Sequence, residues 1–169
     1  MAHNYIIENL AANRLTFESI LKERRQDEYL YKQDSTKWCL LEVVCHLRDE
    51  EVEDFRTRVR HVMEHPNTNP PPIDPVAWVK DRNYLDQDYN DMLKKFLYER
   101  EKSIQWLNSL ENPAWKNSFK HSSLGTLTSE HFLFNWLGHD YLHLRQITRL
   151  LFNYTQEKTK NDLRYAGDW

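Results

Sequence analysis

A chain of 169 residues, 40% hydrophobic and 29% charged, has the apolar mass for one cored domain spanning 1–169. Only three Gly, against six Trp, nine Tyr and seven Phe, leave little material for the turns and bulges of an all-β protein. A net charge of -3 over interspersed acids and bases excludes the basic footprint of a nucleic-acid binder, and no apolar run approaches the roughly 18 residues of a membrane span. The opening MAHNYIIENL lacks the basic start and long apolar segment of a signal peptide, so the expected compartment is the cytoplasm.

In chain order, Ile6, Ile7, Leu10, Leu15, Phe17, Ile20 and Leu21 recur at helical spacing and predict a first helix ending near Arg25. A polar linker follows. A second helix is predicted from Leu40 to about Met63, with Leu40, Val44, Leu47, Phe55, Val59 and Val62 along one stripe. Its entry is Cys39-x-x-Glu42, a weakened capping box, or an earlier start at Ser35 or Thr36. Cys39 and Cys45 lie about 9 Å apart along that helix, too far for a disulfide, and read as reduced thiols that help pack it.

HPNTNPPPIDP removes amide donors and fixes φ at successive positions, which predicts a stiff extended loop. A third helix falls within 76–110, best formed over DYNDMLKKFLYEREKSIQWLNSL. After Pro113 and Gly125 break the pattern, a last helix is predicted from near Thr128 to about Tyr154. With four long amphipathic helices and no alternating strand pattern, the expected fold is all-α, a four-helix bundle. The polar tail ends in Trp169, and the sequence leaves open whether that residue docks.

His139 and His143 in HDYLHLRQI stand one turn apart on a single helix face, the spacing that lets two imidazoles reach one divalent ion. The pair by itself equally fits a satisfied histidine pair on an aromatic helix, and His46 in EVVCHLRDEE fits a solvated histidine paired with Glu50. On an ideal wheel His46 falls nearer Glu42, Glu50 and Glu53 than the apolar stripe, which suggests a cleft at the bundle's edge. His3, His61, His65, His121 and His131 match no ligand spacing.

KWCLLEVVCHLRDEE followed by HDYLHLRQI nearly a hundred residues later resembles the DinB-like (YfiT-like) superfamily, whose members show a Trp, a helix cap, a Glu and then His-Leu on the second helix and HxxxH on the last. The resemblance covers nearly the whole chain. It implies a four-helix bundle, pairing into a homodimer, and a divalent metal held by His46, His139 and His143. Cys39 departs from the family's usual Ser or Thr cap.

Three neutral imidazoles leave an ion its positive charge and an open position, the condition for activating a bound water or thiol. Zinc or nickel is the foremost expectation, with iron(II) also accommodated. The resemblance further implies an enzyme acting on a small molecule, as a low-molecular-weight-thiol S-transferase or a hydrolase. The competing reading is a non-catalytic bundle, metal-stabilised or serving as an interaction module. Glu50 is the candidate catalytic base. Glu50, Asp140 and Gln146 are candidates to orient an imidazole. Trp38, Trp78, Tyr84, Trp136 and Tyr141 are candidate pocket walls, with Trp78 or Tyr84 expected to approach the metal from the returning part of the proline loop.

Overall fold

Four long helices dominate the computed structural model, which describes residues 2–167. Helix α1 runs Ala2–Leu21, and Glu23, at φ 60°, turns the chain out of it into the single-turn α2, Gln26–Tyr29. Helix α3 spans 40–64 in three continuous parts: α-helical Leu40–Asp49, a wider π-helical stretch Glu50–Phe55, and α-helical Arg56–Glu64. Short α4, Pro75–Asp81, precedes α5, Tyr89–Ser109; strands β1, Ser118–His121, and β2, Gly125–Thr128, lead into α6, Ser129–Thr159. Trp169 lies outside the described residues.

Local chemistry explains the boundaries. The backbone N–H of Cys39 donates to Glu42 Oε2 at 2.8 Å, so the reciprocal half of the capping box survives the loss of a hydroxyl. Helix α3 therefore starts at Leu40. The earlier entry at Ser35 or Thr36 does not form, because Asp34 accepts the amide and hydroxyl of Thr36 in a turn of its own. Asp74, Asp88 and Thr128 cap α4, α5 and α6 through the amides of Ala77, Asp91 and His131. Pro75 occupies the first turn of α4, where no amide donor is needed.

Beside the expected helical bundle the chain also forms a short hairpin. β1 pairs antiparallel with β2 from Ser118 opposite Thr128 to His121 opposite Gly125, which takes φ +79° at the turn. Each strand has four residues, too few to register as alternation, and their Phe119 and Leu127 bury against Val62 of α3.

Helix α1 packs on α5 and α6, the first part of α3 on α5, and its last part on α6. Two apolar cores result. Phe17, Val43, Val44, Leu93, Phe96 and Ile147 belong to one, and Leu10, Val59, Leu107, Leu133 and Trp136 to the other. Between them lies a buried polar layer. Arg100 of α5 grips both oxygens of Asp140 on α6 at 2.7 Å and Glu51 of the π-helical stretch at 2.9 Å. Asn13 and Trp136 donate to Asp140 and Glu51, respectively. Burial favours the neutral form of Arg100, but Asp140 and Glu51 more than offset it and hold the guanidinium charged.

Candidate metal centre

His46 sits on α3 at the height of this polar layer, and α6 brings His139 and His143 up to it. Ring centroids are 5.5 Å apart for His46 and His139, 4.9 Å for His46 and His143, and 4.3 Å for His139 and His143. One nitrogen from each ring falls within 4.8 Å of the other two. All three sequence candidates thus meet. Among the described residues no carboxylate or thiol joins the group, and His3, His61, His65, His121 and His131 stand elsewhere.

The geometry suits a cation. His143 Nδ1 lies 2.8 Å from Gln146 Oε1, which makes Nδ1 the protonated nitrogen and leaves the Nε2 lone pair facing His139. His139 Nε2 is 3.0 Å away, the spacing expected of two nitrogens each about 2.1 Å from one ion at about a right angle. Buried Nδ1 of His46 has no hydrogen-bond partner. Burial, reinforced by His143, lowers the His46 pKa to about 3, and burial with its two ring neighbours lowers His139 to about 2. Burial also lowers His143, against the raising effect of Gln146. Such rings are neutral at pH 7, the protonation state a metal requires.

The surroundings correct the edge-cleft expectation. His46 is only 6% exposed, and Glu42 and Glu50 beside it are also buried. Their charges do not force that face into solvent, because Glu42 pairs with Lys32 at 2.7 Å and Glu50 is pushed up to about 9, by burial first and then by its hydrogen bond with Asp54. Glu50 Oε1 lies 4.0 Å from His46 Nδ1, too far for a hydrogen bond. Asp140 orients no imidazole; Arg100 and Asn13 take its oxygens.

The aromatic walls are Trp38, 4.9 Å from His46, and Phe55, 4.9 Å from His139. Trp78 and Tyr84 make other contacts, and Tyr84 shares a pocket lining with Trp38. Arg82 covers the Trp78 ring, the Tyr84 hydroxyl donates to Asp49 at 2.7 Å, and both rings belong to the core that holds Phe17 and Val44, against which Trp38 also packs. Trp136 is buried on Glu51 and Phe55, and Tyr141 faces solvent. Phe55 escaped the wheel for a physical reason. At 100° per residue it would lie opposite His46, but the i→i+5 turns of 50–55 advance less per residue and bring it round toward the imidazoles.

A four-helix bundle whose buried polar layer gathers three neutral imidazoles from two helices is the framework of a metal-binding helical protein. The DinB superfamily sequence profile matches residues 9–147, and this chain belongs to that superfamily. Its structure is similar to that of YfiT from Bacillus subtilis, with TM-score 0.79 and 18% identity, over 90% of this chain and 87% of that one. YfiT is described as a probable metal-dependent hydrolase with an unusual four-helix bundle topology. No curated protein sequence matches significantly. Among the described residues, no helix is long and apolar enough to cross a membrane.

Proposed function

We propose that this chain is a metal-dependent enzyme acting on a small molecule, with His46, His139 and His143 holding a divalent ion, zinc or nickel foremost. The observation that carries the reading is the convergence of three neutral imidazoles, two buried and His139 half-buried, with no carboxylate among them. A divalent ion there supplies positive charge that lowers the pKa of a bound thiol or water toward neutrality.

The chain's own groups favour transfer of a low-molecular-weight thiol to an electrophilic carbon. An ordinary thiol already titrates near 8.5, so it needs less help from a protein base than water does. Cys39 and Cys45 are not the nucleophile: burial raises them to about 11 and about 12, and neither is exposed. Gln146 fixes the tautomer of His143, Trp38 and Phe55 flank the rings, and Glu50 holds a proton beside His46 Nδ1. In the transfer the thiol gives its proton to solvent water, sulfur bonds to the carbon, and the displaced group leaves with the carbon's former bonding pair and takes up a proton from solvent.

Hydrolysis is the second reading, favoured by the likeness to YfiT, with Glu50 as base once a cation has drawn its proton away. The experiment is electrophile consumption by zinc-loaded protein, with and without a small thiol. S-transfer expects turnover only with both zinc and thiol. Full turnover without thiol selects hydrolysis. Turnover that survives metal removal discards the metal-dependent reading, and no turnover at all favours a metal-stabilised bundle.

A further inference from the structure

Beside the metal centre, on the side where the chain enters α3, lies a pocket of about 350 Å³. Two of its walls are also walls of the centre: Trp38, whose ring packs on His46, and Gln146, which holds His143. Leu150 adds an apolar surface, and Gln33 and Asn153 add amides already joined to each other at 3.0 Å. The remaining lining residues are Lys37 and Arg149. In a chain with 26 acids against 23 Lys and Arg, this lining has two cations and no carboxylate.

Neither cation is held in an ion pair. Both side chains are exposed, and among the described residues neither makes an ion pair. The nearest acid to Lys37 in sequence, Asp34, accepts from the amide and hydroxyl of Thr36, and the Lys37 charge acts on it through space as a lesser influence. Most other surface Arg and Lys residues of known placement are paired, as Arg24 with Glu28, Arg56 with Glu99 and Lys158 with Asp27. Two unpaired cations flanking an aromatic ring at the edge of a pocket are a binding arrangement for an anion with an apolar body.

Helix geometry sets the direction of that ligand. Arg149 follows His143 by six residues, about 9 Å along the α6 axis, with Gln146 half way. We propose that this pocket is the subsite for the anionic end of the substrate: a small carboxylate-bearing molecule, extended over Trp38, whose reacting group lies at the imidazoles and whose carboxylate lies further along α6 between Lys37 and Arg149. The reacting end rests on the proposed function; the anionic end does not.

The test uses the full chain and two pairs of probes. In metal-free protein, hexanoate and hexanol are titrated while the Trp38 indole N–H is followed by NMR, assigned with Trp38→Phe. Two exposed charge pairs of ordinary strength give hexanoate roughly fivefold tighter binding. Lys37→Gln/Arg149→Gln should abolish that preference and leave hexanol binding unchanged. Equal binding of the two probes by the native chain, or a preference that persists in the double variant, overturns the subsite. In zinc-loaded protein, ω-mercaptohexanoate and ω-mercaptohexanol replace them. The carboxylate preference should persist there at fixed zinc content and vanish in the double variant, whereas its loss on loading would detach the pocket from the centre and overturn the substrate assignment. If zinc does not bind at all, the proposed function fails, while the metal-free arm still decides whether the pocket selects carboxylates.

Discussion

At the residue scale the centre depends on nitrogens kept neutral by burial and aimed by their neighbours. Replacing His46, His139 or His143 by Ala removes one of three converging donors, and each variant should bind metal at least about tenfold more weakly. Mass-spectrometric metal content after tag-free purification measures this; three variants with native metal content would sink the assignment. Gln146 acts on His143 through a single 2.8 Å contact. Without its acceptor the ring can turn or change tautomer, so Gln146→Leu should weaken metal binding about tenfold with all three ligands still present. A competition titration against a chromophoric chelator reads that loss. Unchanged affinity would mean that packing against the other two imidazoles fixes the His143 ring without Gln146.

At the element scale, the π-helical stretch and the polar layer join the helices that carry the ligands. Glu51 lies on α3 five residues past His46, Asp140 adjoins His139 on α6, and Arg100 of α5 links them. Arg100→Met leaves two buried acids without their cation, which should cost about 3–5 kcal/mol and lower Tm on the order of 10 °C. Thermal melts check this, and a loss under about 1 kcal/mol would mean that water or proton uptake relieves the acids. The helices themselves were legible, because residues such as Val44, Phe96, Leu133 and Ile147 recur at helical spacing and lie in the cores. His139 and His143 were equally legible, since one turn of one helix fixes their separation. The π-helical turns were not: EEVEDF contains no breaker, and widening the helix there is an effect of packing around Glu51 and Phe55 rather than of propensity. Arg100, Glu51 and Asp140 interrupt the apolar stripes, so they read as surface charges until three helices are set side by side. The burial of Glu42 beside His46 was hidden likewise, because its partner Lys32 comes from the polar linker.

At the scale of the whole molecule, Phe134, Tyr141 and Leu142 leave an apolar strip on α6 that is 37%, 47% and 55% exposed. We propose that a second copy of the chain covers it, and light scattering at tens of micromolar should give the mass of two chains rather than one. Stability should also record the state of the centre. In metal-free protein, His46 and His139 titrate near 3 and near 2, whereas in the unfolded chain both titrate near 6.5. The unfolded state therefore takes up protons that the folded state refuses as pH falls from about 6.5 toward 3, and stability drops by up to roughly 1.4 kcal/mol per imidazole per pH unit. Glu50 acts in the opposite direction. Its carboxyl, raised to about 9, keeps its proton in the folded chain, so its contribution is full below about 4.5 and is lost as pH rises toward 9. Together His46, His139 and Glu50 put the stability maximum of the metal-free chain near pH 6.5, with a net one proton taken up on either side of it, and the lowered His143 steepens the acid side further. Zinc should raise Tm most at and above neutral pH, because it binds the folded chain through neutral rings and protons compete for them below about 6.5. Melts in chelator and in zinc across pH 4.5 to 9 measure both effects. A chelated Tm that stays level from pH 6.5 to 4.5 would show that the rings are hydrated enough to charge in the folded state, and the buried neutral cluster would then be the wrong description of the centre.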